Sequence, residues 1–166
     1  LDPGGVVQSQ VIESGLDGAT GQGLRLILNG SQSHRTLSAR FITDFFGSGV
    51  QHIAFATDDI EKTVKRLVAN GVAMLPIPEN YYDDLEARSD LSPDEIDRLK
   101  ALNILHDSDA GGHFRQAYTQ TLDGGLFFEI VQRDGYAGYG AANAGIRLTA
   151  QARLARPMGM PALGHG

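Results

Sequence analysis

Apolar and polar positions change their spacing several times along this chain, and each change marks a predicted element. Residues 6–14 and 24–29 are short apolar runs separated by a glycine-rich stretch, 15–23, and predict two strands joined by a turn. Over residues 36–46 the period lengthens: Leu37, Phe41 and Phe45 recur every four residues, a helical spacing that ends at Gly47. Residues 50–56 read as a strand again. A second helix should follow, with Asp58 as its cap, Glu61 as capping-box partner, an apolar face of Ile60, Val64, Leu67 and Val68, and Gly71 as its stop. Residues 76–90 lose all periodicity, and the cluster Tyr81-Tyr82-Asp83-Asp84 suggests a solvated loop. Ser92-Pro93-Asp94-Glu95 is a helix start, with Ser at the cap, Pro at the first turn and Glu three residues on; Ile96, Leu99 and Leu102 share one side. Strands are expected at 114–121 and 126–133 around a turn at Asp123-Gly124-Gly125, then a Gly/Ala-rich stretch to 145 and a helix over 147–155.

From residue 50 onward the order is therefore strand, helix, a short strand near Val72, an insertion, strand and strand. That is a βαβββ unit, and the two strands before it look like the end of a second one. The predicted class is α+β, with paired βαβββ modules of which the first is truncated. Residues 1–150 form one domain: 1–49 the end of the first module and its connecting helix, 50–134 the second module, and 135–150 a closing segment. Residues 151–166 read as a flexible tail.

Composition narrows the function classes. A chain of 166 residues can bury a real core. The formal charge of -6, without a basic cluster, excludes a nucleic-acid surface. No apolar run approaches the roughly 20 residues that cross a bilayer, and no signal pattern is present. With no cysteine, disulfides and thiolate sites are excluded, so any metal has nitrogen and oxygen ligands; a cytoplasmic location fits. The start at Leu1-Asp2-Pro3, with no initiator Met, is expected to mark a fragment or processed piece, with an unpaired sheet edge.

Two residues stand out within the strands. His52 interrupts Val50-Gln51-His52-Ile53-Ala54-Phe55, and Glu129 interrupts Leu126-Phe127-Phe128-Glu129-Ile130-Val131. A carboxylate set among apolar neighbours costs several kcal/mol unless a cation or strong donor meets it. An imidazole and a carboxylate are two arms of the two-histidine, one-carboxylate set that suits non-haem Fe(II). A core histidine and a salt-bridged glutamate meet the same demand, and the pattern alone leaves both open. His34, His106 and His113 lie among polar neighbours and read as surface histidines rather than a third arm.

Several further segments occur in a telling order: Gly49-Val50-Gln51-His52-Ile53-Ala54, Asp59-Ile60, Tyr81-Tyr82, Ile104-Leu105 and Phe128-Glu129-Ile130-Val131-Gln132-Arg133. Over about residues 9–145 the chain resembles the C-terminal half of the 4-hydroxyphenylpyruvate dioxygenases, in the vicinal-oxygen-chelate superfamily. The resemblance implies that His52 and Glu129 bind Fe(II), and that a third ligand, a histidine, lies upstream of Leu1. Co, Mn and Mg also suit such donors. It places Asn29, Gln116, Tyr118, Phe127, Tyr139 and Asn143 on the substrate pocket, which would take a small aromatic or 2-oxo acid. Gln116 and Tyr118 share a strand face, as one pocket requires.

Other segments resemble a narrower group. Gln32-Ser33 with Arg35-Thr36-Leu37-Ser38-Ala39-Arg40-Phe41, and Gly138-Tyr139-Gly140-Ala141-Ala142-Asn143-Ala144, are similar to the dioxygenase-like domain of bacterial 3-dehydroshikimate dehydratase fusions. That resemblance implies an upstream TIM-barrel domain performing the dehydration, in breakdown of quinate and shikimate toward protocatechuate, and a homo-oligomer. The dioxygenase pattern stacks the substrate ring between two phenylalanines, where this chain has Tyr118 and Ala144, and carries Gln where Ala39 stands. Losing one stacking face removes about 0.5–1.5 kcal/mol and opens the pocket. The leading expectation is a metal-binding, dioxygenase-like domain. The rivals are an active homogentisate-forming dioxygenase and a non-catalytic ligand-binding or oligomerisation module.

Overall fold

The computed structural model describes residues 6–14, 23–122, 125–136, 138 and 140–154. Its elements are β1 (Val7–Glu13), β2 (Arg25–Ser31), α1 (Leu37–Asp44), β3 (His52–Ala56), α2 (Ile60–Ala69), α3 (Glu79–Arg88), α4 (Pro93–Ala101), β4 (Leu105–Asp109), β5 (Gly112–Tyr118), β6 (Phe127–Asp134) and α5 (Ala141–Leu154). None of the helices is long and apolar enough to cross a membrane.

Strands β1 and β2 form an antiparallel pair with Ser9 opposite Asn29. The remaining strands form one sheet in the order β3-β6-β5-β4. β3 runs parallel to β6, His52 opposite Phe127 and Ala54 opposite Glu129, while β5 is antiparallel to both β6 and β4. A parallel pair needs a long crossover, supplied here by everything from α2 to β5. The expected βαβββ unit is present, but its middle strand is not near Val72. It is β4, after the insertion, a segment too polar at Asp107, Ser108 and Asp109 to read as a strand. Residues 73–75 instead run beside the end of β5, with a single bridge from Met74 to Thr119.

The insertion is also more ordered than its sequence suggests. Residues 79–88 form α3, not a loop, because Tyr81, Tyr82 and Leu85 share one buried helix face. Helix α4 begins as expected: Ser92 accepts from the Glu95 amide, and the Glu95 carboxylate returns to the Ser92 amide at 3.1 Å. Helix α2 is capped one residue later than expected, by Asp59, whose Oδ1 accepts from Lys62 N at 2.9 Å. Glu61 is then free of capping and pairs with Lys65 and Arg98. Helix α5 starts at Ala141, six residues before the expected 147.

These elements give the sheet two unlike faces. Toward α2, α3 and α4 it presents Ala117 and Ile130, which join Val64, Leu75, Leu85 and Leu99 in the main core. The opposite face carries Gln116, Tyr118, Phe127 and Glu129, the alternate positions of the same strands. β3 and β4 are the outer strands of this sheet, and Ile53 and Phe55 on β3 are solvent-accessible. The expected turn at 15–23 falls almost wholly outside the described residues; of the expected tail at 151–166, residues 151–154 are instead the end of α5 and the rest lies outside them.

Candidate metal centre

Two pairing registers assemble the centre. The β3–β6 register puts His52 beside Phe127, two residues from Glu129 and on the same face, and the β5–β6 register puts Tyr118 directly across from Glu129. His52 Nε2 and Glu129 Oε2 stand 3.7 Å apart. That gap is too long for a hydrogen bond. It is a few tenths of an ångström longer than the roughly 3.0–3.4 Å that separates two ligand atoms each about 2.1 Å from one octahedral or tetrahedral ion.

The other carboxylate oxygen is held firmly. Glu129 Oε1 accepts from Gln116 Nε2 at 2.8 Å and from the Tyr118 hydroxyl at 2.9 Å. Gln116 Oε1 in turn accepts from Asn143 Nδ2 at 3.0 Å. The Tyr81 hydroxyl lies 3.2 Å from Asn143 Oδ1 and accepts from the His106 amide at 2.8 Å. The chain of contacts thus runs from Glu129 through β5 and α5 to α3. Gly140 lets α5 approach this closely: its φ is +63°, and a Cβ there would meet Gln116 Oε1 at 2.5 Å.

Glu129 is only 8% exposed, yet Oε2 accepts no hydrogen bond among the described residues and faces His52. The His52 ring stacks on Phe127, centroids 5.1 Å apart and planes 12° from parallel, which fixes the direction of its Nε2. Burial lowers the His52 pKa; the Glu129 charge opposes that shift and the Arg147 charge adds to it. A neutral imidazole keeps the lone pair that metal ligation needs. Burial also raises the Tyr118 pKa well above its ordinary value, with the adjacent Glu129 charge adding to the effect, so the phenol stays a donor. The donor set, one neutral nitrogen and one pinned carboxylate with a free oxygen, fits a divalent cation.

Of the residues singled out in the sequence, His52, Glu129, Gln116, Tyr118, Phe127 and Asn143 come together. Asn29 does not: on β2, its Oδ1 accepts from Ser9 Oγ at 2.6 Å. Tyr139 lies outside the described residues. His34 is exposed, as expected, but His106 is not a surface residue. It is 2% exposed on β4, with Nε2 3.2 Å from His113 Nδ1. Among the described residues no three His, Asp or Glu side chains form a metal-binding group.

Two contributors escaped the sequence reading. Tyr81 was hidden in a polar cluster that turned out to be helical. Arg147 places its guanidinium carbon 5.6 Å from the Tyr118 ring centroid and 5.5 Å from that of Phe127. The spacing Asn143, Arg147, Gln151, four residues apart each time, was the available signal for one polar helix stripe.

Comparisons with known proteins identify the family. Residues 7–95 match the family described as the Glyoxalase/Bleomycin resistance protein/Dioxygenase superfamily. The chain is 46% identical over 154 residues to a 3-dehydroshikimate dehydratase of Pseudomonas putida, covering 92% of this chain and 24% of that protein. It is 38% identical over 122 residues to a 4-hydroxyphenylpyruvate dioxygenase of Pseudomonas aeruginosa, covering 72% of this chain and 34% of that one. Among solved structures, a xylose isomerase-like TIM barrel/4-hydroxyphenylpyruvate dioxygenase fusion protein superposes with a TM-score of 0.68 at 47% identity, over 78% of this chain and 21% of that one. The chain spans about a quarter of the length of the dehydratase it matches. Its α+β fold, its βαβββ unit and the match over more than half its length make it a member of the Glyoxalase/Bleomycin resistance protein/Dioxygenase superfamily.

Proposed function

We propose that this chain is the metal-binding, dioxygenase-like domain of a 3-dehydroshikimate dehydratase, in which His52 and Glu129 hold a divalent ion, Fe(II) by preference. The observation that carries this reading is the 3.7 Å approach of His52 Nε2 to a Glu129 oxygen, while Gln116 and Tyr118 hold the other oxygen. Supporting contacts of this kind orient ligands and commonly set metal affinity. A third donor would come from outside the described residues. The dehydration itself belongs, on this reading, to a TIM-barrel domain, as the name of the fusion structure suggests.

Bound there, the ion would supply Lewis acidity and open positions for a chelating oxygen ligand and for dioxygen. The chain's own residues do the rest. Phe127 holds the His52 ring in plane and shields it from water, being 2% exposed. Gln116 and Tyr118 keep Glu129 in a single orientation, and Asn143 fixes the Gln116 amide so that its nitrogen points at the carboxylate. The ligand is a small aromatic or 2-oxo acid.

A homogentisate-forming 4-hydroxyphenylpyruvate dioxygenase is the second reading, favoured by the 38% identity to a protein of that name. Against it, a tyrosine hydroxyl bonded to Glu129 stands where an apolar ring would stack. Oxygen uptake and metal titration of the full-length protein separate these cases. The first reading expects Fe(II) binding that His52→Ala and Glu129→Ala each abolish, with no uptake on 4-hydroxyphenylpyruvate. Uptake on that acid promotes the second reading. Metal binding indifferent to both substitutions overturns both.

A further inference from the structure

We infer that Arg147 determines the specificity of this centre by binding a second anionic group of the ligand, so that the site takes a dianionic acid. The inference rests on the proposed metal reading for where the ligand's first anionic group sits. It goes beyond that reading in naming a cation, its position and the charge class of the ligand.

Three observations support it. The first is location. The Arg147 guanidinium lies against both rings that wall the centre, 5.6 Å from Tyr118 and 5.5 Å from Phe127. Phe127 stacks on His52 and Tyr118 donates to Glu129, so Arg147 is one ring away from each ligand.

The second observation is partnering. A half-buried guanidinium is normally met by a carboxylate. Among the described residues Arg147 makes no ion pair; its Nη1 donates to the neutral Gln151 Oε1 at 2.7 Å. Glu129, the acid of the centre itself, is already held by Gln116 and Tyr118. The guanidinium has five N–H donors in a fixed fork, and those engaged by Gln151 and the Tyr118 hydroxyl leave capacity for a bidentate carboxylate.

The third is charge balance. A divalent ion held by one carboxylate and neutral imidazoles keeps one net positive charge, and Arg147 brings a second. A single chelating carboxylate would neutralise only the first. A ligand with two carboxylates, one at the ion and one at Arg147, neutralises both. The rings of Tyr118 and Phe127 meet edge to face, centroids 6.2 Å apart, beneath the Arg147 guanidinium, and offer an apolar surface for a short carbon skeleton.

Matched ligands test this directly. Binding of 2-oxoglutarate against 2-oxopentanoate, and of 4-carboxyphenylpyruvate against phenylpyruvate, is measured by calorimetry on the full-length protein, each pair differing only in the distal carboxylate. Wild type should bind the dianion of at least one pair tighter by roughly 10- to 100-fold, the usual range for a charge-assisted contact. Arg147→Leu should bring that ratio to about one, and Arg147→Lys should restore part of it, which also guards against a merely structural effect. Repeating the titrations after chelation keeps the two readings apart. Metal removal should weaken both members of a pair alike, whereas loss of Arg147 removes the difference between them. If chelation changes nothing while the Arg147 effect persists, the metal reading fails and this one stands. Equal binding of both members by wild type, absence of binding by either, or a preference that survives Arg147→Leu overturns it.

Discussion

The two faces of the β3-β6-β5-β4 sheet are made by neighbouring residues with opposite tasks. Ala117 and Ile130 point to the helices and are packed among Val64, Leu85 and Leu99. Gln116, Tyr118 and Glu129, one step away along the same strands, form a network of directed hydrogen bonds. The first face works by volume and excluded water, and tolerates any apolar group that fits. The second works by orientation, because one hydrogen bond more or fewer on Glu129 changes how its free oxygen meets a ligand. Most of the apolar core therefore lies on one side and the directed polar contacts on the other, with Tyr118 and Phe127 of the second face belonging to both.

Substitutions should break the two faces independently. The largest effect is expected from Leu85→Ala, which empties a fully buried position on α3. Urea unfolding should show a loss of about 2–5 kcal/mol, with the metal affinity of the folded protein unchanged. On the other face, Gln116→Leu should weaken Fe(II) binding by about 10- to 100-fold with a much smaller change in stability. Tyr118→Phe should do the same to a lesser degree, since Gln116 still holds Glu129 Oε1. A chelator competition titration reads both. A Gln116 variant with wild-type affinity would mean that the network does not serve the ligand.

The smallest effect comes from the edge where the faces meet, at His106. Burial, and then the neighbouring His113, Arg115 and Arg88, pull its pKa down to about 4, with Asp107 opposing. The unfolded chain takes up this proton near the ordinary value of about 6.5, so between these limits the unfolded state binds more protons. His106 therefore contributes stability that is complete above the unfolded value and is lost as pH falls toward about 4. Undiminished, such a shift would be worth about 3 kcal/mol; solvent screening leaves a loss on the order of 1 kcal/mol, and His106→Gln should flatten that part of a stability–pH curve. A curve identical to that of wild type would remove His106 from the account.

Legibility followed the length of the signal. The start of α4 at Ser92 was plain because cap, proline and glutamate sit within four residues and satisfy one another locally. The strands bearing His52 and Glu129 were plain because each is an apolar run with one polar interruption. Helix α3 was misread because Tyr81 and Tyr82 are polar-tipped, and only packing revealed that both rings are buried. Strand β4 was missed for a similar reason: Asp107, Ser108 and Asp109 are tolerated because β4 ends the sheet order and pairs with β5 alone. Asn29 looked like the other pocket residues in sequence, but the β1–β2 register gave it Ser9 as its partner instead.

By itself the sequence determined which strands carry His52 and Glu129, the α+β alternation, and the absence of thiolate chemistry, since these depend on residue type and short-range period. Tertiary structure decided that Glu129 would have one oxygen held and one free, that Tyr81 would reach Asn143 from the insertion, and that Arg147 would lie over two rings of the centre. Those outcomes depend on the registers of three strands and the angle of one helix. Both are fixed by long-range pairing and packing, to which no local pattern of residues gives access.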